Sequence, residues 1–436
     1  MKFLQVTLFV ILFATTALAQ ISRQTQSPPT TENLRSVSAV SQSIVWASGT
    51  HGTYLRTTNA GRTWIAAKVP DAATLDFRGL VAFSADEAFL MSAGPGDQSR
   101  IYHTSDAGQH WQLQFTSANP KAFFDSIAFW DRTHGIVLGD PIPDDSGQLK
   151  FQLLITTDGQ SWNPIPPSQL PPALEGEGAF AASNTCLAIL QNHSVILSGE
   201  TRSAERSACR SRRIPCASSP YAAPQGILTT VSMTARKSPS PSKSGASAPR
   251  EPDEKTGASA PGETDSNIWF ATGGKAARVF HSPDRGRSWQ VFDTPITHGP
   301  DSAGIFSIAF RDANHGVIAG GDYKHPDQDG PDLAFTSDAG KTWTVSKIFP
   351  QSYYSSVAYD RKSLSASAAA KNKSEDEAHV RLFIAAPKFI FDFRPPKDPT
   401  RISPPRKSGI EFNAVSPYPS GGAIFVGPKG SIATIP

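Results

Sequence analysis

The phrase TSDAGKTW at residues 336–343 recurs along the chain and decides the fold. Close copies read TTNAGRTW at 57–64, TSDAGQHW at 104–111 and SPDRGRSW at 282–289, and a copy one residue shorter, TTDGQSW, lies at 156–162. Four of the five copies follow a short apolar or aromatic run that is typical of a β-strand. A phrase that returns with the same surroundings indicates a repeat architecture.

Two further phrases recur in a fixed order around these turns. The phrase SIAF occurs at 126–129 and 307–310, and apolar runs ending in Gly-Asp occur at 134–140 and 315–322. The order is therefore strand, turn, strand, turn, strand, boxed turn, strand, where "boxed turn" means a copy of the opening phrase. Related versions of SIAF lie at 37–40, 80–83, 178–183, 355–359 and 412–415.

The SIAF-like phrases mark the starts of seven repeated units, spaced roughly 45–55 residues apart. This repetition predicts an all-β fold, a seven-bladed β-propeller with four-stranded blades. No amphipathic helix lies between the strands, which disfavours a βαβ fold. An array of β-sandwiches is the alternative, but a sandwich does not require the same turn at the same place in each unit.

Each boxed turn is expected to be structural. In the copy at 104–111, Asp106 can accept hydrogen bonds from the amides of its own turn, Gly108 can adopt positive φ, and Trp111 can pack into the blade core. A calcium loop is the alternative, but one carboxylate per turn supplies too few ligands, so we predict no metal. The residues with these predicted roles are Asn59, Gly61, Trp64, Asp106, Gly108, Trp111, Asp158, Gly159, Trp162, Asp284, Gly286, Trp289, Asp338, Gly340 and Trp343.

Composition narrows the possible functions. The 436 residues carry 41 Lys and Arg against 38 Asp and Glu, a net charge of +3. A chain so close to neutral is not expected to bind nucleic acid. No Gly-rich nucleotide motif, nucleophile elbow or zinc-protease motif occurs, so no cofactor is predicted.

The first 19 residues resemble a secretory signal peptide. Lys2 precedes an apolar run, and Ala17-Leu18-Ala19 gives a cleavage site before Gln20. A buried first helix is the alternative. We expect an exported protein, periplasmic or extracellular, with no transmembrane segment in the mature chain. Cys209 and Cys216 are the only close cysteine pair, and Cys186 is expected to be a small buried apolar residue.

The domain prediction places the propeller at 36–191 and 267–436, with an N-terminal segment at 20–35. The segment 192–266 is predicted to be a disordered insertion in blade four, since residues 236–266 contain no large apolar side chain. The last unit shows only three strand-like runs. We therefore expect a strand near residues 31–36 to complete the seventh blade and close the ring.

The boxed turns resemble the Asp-box, or BNR repeat, S/T-x-D-x-G-x-S/T-W. The longer patterns at 46–64, 268–289 and 423–435 resemble the photosystem II stability and assembly factor family of propellers. That resemblance implies a scaffold that binds a protein client through basic residues on one face. The Asp-box resemblance also implies a second possibility, because sialidases share it.

A sialidase-like site requires an arginine triad, a Tyr nucleophile with a Glu partner, and an acid/base Asp. A two-carboxylate glycosidase site requires two acids that face one cavity. Arg56, Arg78, Arg278 and Arg311 come from different blades, and Asp140 and Asp322 end two similar strands. The phrase at 213–215 matches part of a sialidase motif but lies within the insertion, where that motif does not belong. The residues predicted to face the channel are Arg56, Asp140, Lys275, Arg278, Asp322 and Tyr323.

These observations favour an exported, non-catalytic and monomeric propeller that binds a protein client or a glycan as an interaction or assembly scaffold. The alternative is a sialidase-like glycoside hydrolase. The two hypotheses differ in which side chains converge at the channel.

Overall fold

The structure is a computed structural model that describes residues 29–190, 267–346, 353–362, 380–387, 389–393, 406–407 and 409–436. Within these ranges the chain forms strands almost throughout, with short 3-10 helices at Gly96–Gln98, Pro167–Gln169 and Pro428–Gly430. The strands assemble into seven antiparallel sheets. The predicted seven-bladed β-propeller is confirmed.

The first three blades follow the chain in order. Their outermost strands are short and exposed, whereas the inner strands are largely buried. Blade one contains β1 (Leu34–Ala39), β2 (Val45–Gly49), β3 (Thr53–Thr57) and β4 (Ile65–Lys68). Blade two contains β5 (Asp76–Ala82), β6 (Ala88–Ala93), β7 (Arg100–Thr104) and β8 (Gln112–Thr116). Blade three contains β9 (Phe124–Phe129), β10 (Gly135–Pro143), β11 (Leu149–Thr156) and β12 (Asn163–Pro164).

Blades four and five are joined by two extra short strands, β13 (Glu177–Gly178) and β16 (Gly273–Gly274), which extend the blade-five sheet. Blade four contains β14 (Leu187–Ile189), β15 (Ile268–Ala271), β17 (Arg278–Ser282) and β18 (Gln290–Asp293). Blade five contains β19 (Ala303–Phe310), β20 (Gly316–Asp322), β21 (Leu333–Thr336) and β22 (Thr344–Val345).

The sequence of blade six lacks the repeated phrase, and blade seven has three strands among the described residues. Blade six contains β23 (Ser356–Tyr359), β24 (Leu382–Ala385), β25 (Phe389–Phe393) and β26 (Arg406–Lys407). Blade seven contains β27 (Ala414–Pro417), β28 (Ala423–Val426) and β29 (Ile432–Ile435).

The blades form a closed ring. The first strand of each blade contacts the first strand of the next, and β27 of blade seven contacts β1 of blade one. Seven separate apolar clusters fill the interfaces between neighbouring blades. The core of this protein is therefore distributed between the blades, and the first strands surround the central channel.

The position predicted for the closing strand is wrong. Residues 34–39 form the innermost strand of blade one, because the short turn that follows pairs them directly with Val45–Gly49. The two chain ends meet through other contacts. The Leu34 amide donates to the Gly427 carbonyl at 3.1 Å, and the Ala39 amide donates to the Ser416 hydroxyl at 3.0 Å.

The interruption of blade four lies between its first two strands, β14 and β15, which pair directly although Ile189 and Ile268 are far apart in sequence. The predicted signal peptide at 1–19 and the insertion at 192–266, with Cys209 and Cys216, lie outside the described residues. Cys186 is fully buried in the cluster between blades three and four.

The boxed turns share one hydrogen-bond pattern. In the turn of blade two, the Thr104 hydroxyl accepts from the Gly108 amide at 3.0 Å, and the Asp106 carboxylate accepts from the His110 amide at 2.9 Å. This bond, together with hydrogen bonds to the side chains of His110 and Thr104, lowers the pKa of Asp106 to about 2. Trp111 packs on the cluster between blades one and two. In each of the other four turns, the side-chain oxygen of the Asp or Asn residue also accepts a hydrogen bond from a backbone amide of the turn. The tryptophan of each turn packs against one of the apolar clusters.

Candidate functional site

The first strands of four blades carry a β-bulge at the same place. In each case one residue is skipped where the first strand pairs with the second, at Arg35, Arg78, Asp125 and Phe306. A bulge leaves its extra residue out of the ladder and redirects its side chain. These side chains gather at the end of the channel where the first strands begin. We call Arg35, Asp76, Arg78, Asp125, Phe306 and Tyr353 the channel mouth.

Two arginines of adjacent blades share one carboxylate at the channel mouth. Asp76 Oδ2 accepts a hydrogen bond from Arg78 Nε at 2.8 Å and lies 3.4 Å from Arg35 Nε. Arg78 also donates to the Ala181 carbonyl at 3.2 Å, across blade three. Both side chains remain about a quarter exposed, at 24% for Arg35 and 28% for Arg78. One carboxylate between two guanidinium groups leaves this side of the mouth with net positive charge.

Two acids, Asp125 and Asp140, lie close to Arg78. Asp125 is fully buried, and neither of its carboxyl oxygens has a hydrogen-bond partner. Burial raises its pKa well above the usual range, the nearby Asp140 raises it further, and Arg78 opposes the shift. Burial likewise raises the pKa of Asp140 to about 6, although Asp140 accepts a hydrogen bond from the Ala179 amide at 2.9 Å.

Aromatic side chains line the other side of the mouth. Phe306 lies with its ring centroid 4.4 Å from Phe180, 5.5 Å from Tyr353 and 6.2 Å from Tyr323. Tyr323 is 46% exposed and forms the rim of this wall. Tyr353 interacts electrostatically with Arg35, which connects the aromatic side to the basic side. The mouth thus combines a cationic half with an aromatic half.

The segment that precedes β14 crosses the channel below the mouth. The Asn184 side chain accepts from the Ile127 amide at 2.8 Å and donates to the carbonyls of Ile127 at 3.1 Å and Leu80 at 3.3 Å, in blades three and two. The Ser183 hydroxyl donates to the Ser355 carbonyl, next to blade six, at 2.9 Å. Residues 183–184 therefore bond to opposite sides of the ring. A ligand meets a floor at the mouth and not an open tunnel.

The structure places the predicted channel-facing residues in different surroundings. Asp140 lies near Asp125 of the channel mouth, and Tyr323 stands at the rim of the mouth beside Phe306. Asp322 ends β20 in blade five, where His325 Nδ1 lies 2.8 Å from its carboxylate. Asp140 and Asp322 do not form a pair, because blade four separates the strands that carry them. The acid close to Asp140 is Asp125.

The prediction that Arg56 and Arg278 face the channel is wrong, because both belong to third strands, away from the channel. Arg56 donates to the Ala85 carbonyl at 2.8 Å. Arg278 forms a two-pronged ion pair with Glu177, whose carboxylate is fully buried. Lys275 is exposed on the turn between β16 and β17.

Arg56, Arg78, Arg278 and Arg311, the candidates for an arginine triad, do not meet in one cleft. Arg311 lies near its neighbour Asp312, with Nε 3.6 Å from the carboxylate. Of these four arginines, Arg78 alone belongs to the channel mouth. Its partner there is Arg35, which was absent from the sequence-based candidates.

Arg35 and Asp125 were missed although the sequence carries a signal for them. Asp125 and Phe306 directly precede the Ser that begins SIAF, and Arg35 and Arg78 directly precede Ser36 and Gly79, which come just before the related phrases at 37–40 and 80–83. An alignment that sets Ser36 and Gly79 against the Ser of SIAF would have placed the four residues at one position. Their orientation depends on the bulge, which is a property of strand pairing and not of composition.

No group of three or more potential metal-ligating side chains occurs among the residues that the structure describes. In the same ranges, no helix is long and apolar enough to cross a membrane.

Comparisons with known proteins identify propellers. No protein-family model and no curated protein matches the chain. Among solved structures, the chain is similar to the WD40 repeats of RRP9, with 10% identity, a TM-score of 0.52, and coverage of 93% of this chain and 94% of that one. It is also similar to YCF48 bound to D1 peptide, with 13% identity, a TM-score of 0.34, and coverage of 97% and 99%.

A third similar structure is the GH74 xyloglucanase from Xanthomonas campestris. The identity is 12% and the TM-score is 0.48, and the alignment covers 93% of this chain and 52% of the xyloglucanase. At these identities the likenesses concern the propeller fold. Functional arguments therefore rest on the channel mouth itself.

Proposed function

We propose that this protein is an exported, non-catalytic propeller that docks an anionic segment of a protein client at the channel mouth. The observation that carries the proposal is the pair of partly exposed arginine side chains, Arg35 and Arg78, held side by side by Asp76. Fixed guanidinium groups suit carboxylates because their parallel N–H donors match the two oxygens.

The surroundings of this pair fit a protein segment better than a small ion. The aromatic wall of Phe306, Tyr323 and Tyr353 faces the arginines. Aromatic side chains beside arginines are typical of the energetic centre of protein interfaces. The floor formed by Ser183 and Asn184 keeps the ligand at the surface, where a folded client can reach it. The resemblance to the assembly-factor family favours the same kind of role.

A glycoside hydrolase is the second candidate, and the two raised acids Asp125 and Asp140 favour it. A general acid with a pKa near 6 suits such chemistry. However, Asp125 has no exposed surface, and a carboxyl group must touch its substrate to act as nucleophile or base. We therefore rank docking above hydrolysis. Turnover of a fluorogenic glycoside panel that is lost in Asp140→Asn would reverse this ranking.

Site-specific photo-cross-linking tests the docking proposal. A benzophenone side chain is introduced at Tyr323 on the rim of the mouth, and the full chain is expressed in its own host. The control carries the same group at Leu113, which is 48% exposed on the outer strand of blade two. We expect one discrete protein adduct at position 323 and none at 113. Equal adducts at both positions, or none at 323, would contradict docking at the mouth.

A further inference from the structure

The two arginines of the channel mouth differ in how many of their donors the protein uses. Arg78 donates through Nε to Asp76 at 2.8 Å and through Nη1 to the Ala181 carbonyl at 3.2 Å. Arg35 Nε lies 3.4 Å from the Asp76 carboxylate and has no hydrogen-bond partner. Neither Nη atom of Arg35 donates to any residue that the structure describes. Arg78 is therefore held by protein groups, whereas the donors of Arg35 are unused.

The fold keeps Arg35 in place at an electrostatic cost. Only 24% of its side chain is exposed, so much of it is removed from water. Burial lowers the pKa of Arg35 from its ordinary value, Asp76 opposes this change, and Arg78 adds to it. A largely buried cation with unused donors lowers the stability of a protein, and such groups are characteristic of binding sites, where a ligand supplies the missing acceptors.

The β-bulge of the first strand imposes this arrangement. Leu34 pairs with Gly49 and Ser36 pairs with Ser48, so Arg35 is left out of the ladder between two buried neighbours. Asp76, in the first strand of the next blade, then contacts the guanidinium group through its Nε atom. This contact leaves the edge formed by the two Nη atoms free. A planar edge with two parallel donors matches the two oxygens of one carboxylate.

Aromatic rings lie on the other side of Arg35. Tyr353 interacts electrostatically with Arg35, and its ring centroid lies 5.5 Å from that of Phe306. Phe306 in turn contacts Phe180 and Tyr323. Tyr323 is 46% exposed, so part of this aromatic cluster is open to solvent. Aromatic side chains pair favourably at centroid distances of about 4.5–7 Å, which makes the cluster a suitable surface for one more ring.

We propose that Arg35 binds a carboxylate of the client that lies within one residue of an aromatic side chain, and that this side chain packs on Tyr323 and Tyr353. Tyr353 borders both Arg35 and the aromatic cluster, so the two groups of the ligand are near neighbours along its chain, where consecutive Cα atoms are about 3.8 Å apart. The carboxylate comes from an acidic side chain or from a chain end. This inference specifies the group that the client presents, and it rests on the docking proposed above.

Four short peptides, added to the purified full chain, test the ligand class. N-acetyl-Asp-Phe-amide carries the carboxylate in a side chain, and N-acetyl-Ala-Phe carries it at the chain end. N-acetyl-Asn-Phe-amide lacks the carboxylate, and N-acetyl-Asp-Ala-amide lacks the aromatic ring. The Kd of each peptide follows from the rise of the urea midpoint with peptide concentration. We expect at least one of the first two peptides to bind at least about tenfold more tightly than both of the others. Equal binding of all four peptides, or binding of none, would overturn the proposal.

Two variants test whether the binding depends on Arg35. Arg35→Gln should weaken the tighter peptide at least about tenfold, because a charge-assisted, two-pronged contact is lost. The control is Arg311→Gln, which removes another largely buried guanidinium group, with Nε 3.6 Å from Asp312, just beyond the end of β19. We expect the control to keep the Kd of the parent protein. Equal Kd values in the two variants would overturn the proposal.

Stability without any peptide gives a separate readout of the unused donors. We expect the urea midpoint of Arg35→Met to equal or exceed that of the parent protein. Arg78→Met should lower the midpoint, because Asp76 and the Ala181 carbonyl each lose a donor. A midpoint for Arg35→Met as low as that of Arg78→Met would overturn the proposal.

The peptide and cross-linking results separate this inference from the proposed function. A client adduct at position 323 without Arg35-dependent peptide binding would overturn this inference alone. Arg35-dependent peptide binding without a client adduct would support the carboxylate site and overturn the docking of a protein client.

Discussion

The hydroxyl of Tyr54 in blade one donates a 2.9 Å hydrogen bond to the carbonyl of Gly108 in the boxed turn of blade two. Two other blades repeat this contact with different donors, since Gln114 donates to Gly159 and Trp269 donates to Ala339, each at 2.9 Å. The boxed turns therefore stabilise the ring in two ways, through their own tryptophans and through bonds received from the preceding blade.

Removal of the Tyr54 hydroxyl should weaken the contact between blades one and two. We expect Tyr54→Phe to lower the free energy of unfolding by about 0.5–1.5 kcal/mol, the usual contribution of one hydrogen bond. Gly108→Ala should cost more, because its Cβ would lie 2.6 Å from the Tyr54 hydroxyl oxygen and Gly108 has φ of 84°. Urea denaturation measures the free energy of unfolding of both variants, and Tyr323→Phe serves as the control. An unchanged midpoint for Tyr54→Phe would contradict this role.

Loss of the Asn184 side chain should destabilise the floor of the channel mouth. Asn184→Ala leaves the Ile127 amide without the acceptor it now has at 2.8 Å. An unsatisfied buried amide costs about 1–3 kcal/mol, so we expect a loss of that size in the free energy of unfolding. The exposed Asn163→Ala serves as control and should stay within about 0.5 kcal/mol of the parent protein. Equal values for the two variants would show that the floor does not depend on Asn184.

Asp140 should make stability depend on pH in a defined direction. Its folded-state pKa is raised to about 6, so its favourable contribution is complete below the ordinary carboxyl pKa and is lost as pH rises through 6. The stability of the parent protein relative to Asp140→Asn should therefore fall between pH 4 and pH 7. Denaturation at several pH values measures this difference. A relative stability that rises with pH would contradict a raised pKa for Asp140.

Local chemistry explains why the fold was predictable from the sequence. A turn that needs positive φ at Gly108 and a side-chain acceptor at Asp106 leaves nearly the same letters in five of the blades. The closing strand was placed wrongly because strand-forming composition says nothing about the partner of a strand. Residues 34–39 satisfy the pattern of an inner strand and of a closing strand equally well, and the adjacent hairpin decides between them.

The candidate site was only partly predictable, because its parts come together through long-range geometry. Asp140 and Tyr323 were predictable because they lie at the ends of two similar apolar strands. Arg35 and Asp125 reach the mouth only through β-bulges. Arg278 was misplaced because its partner Glu177 comes from a segment about a hundred residues earlier in the chain. Such pairings leave no local spacing rule in the sequence.

The dependence of client capture on Arg35 and Arg78 tests the central claim most directly. The yield of the cross-link from position 323 is measured in Arg35→Gln with Arg78→Gln. The control is Arg62→Gln with Arg287→Gln, which removes the same charge from exposed arginines on two boxed turns. We predict at least about a tenfold loss of yield in the first pair, because two charge-assisted contacts are removed, and little change in the control. Equal yields in the two double variants would contradict docking through the paired arginines.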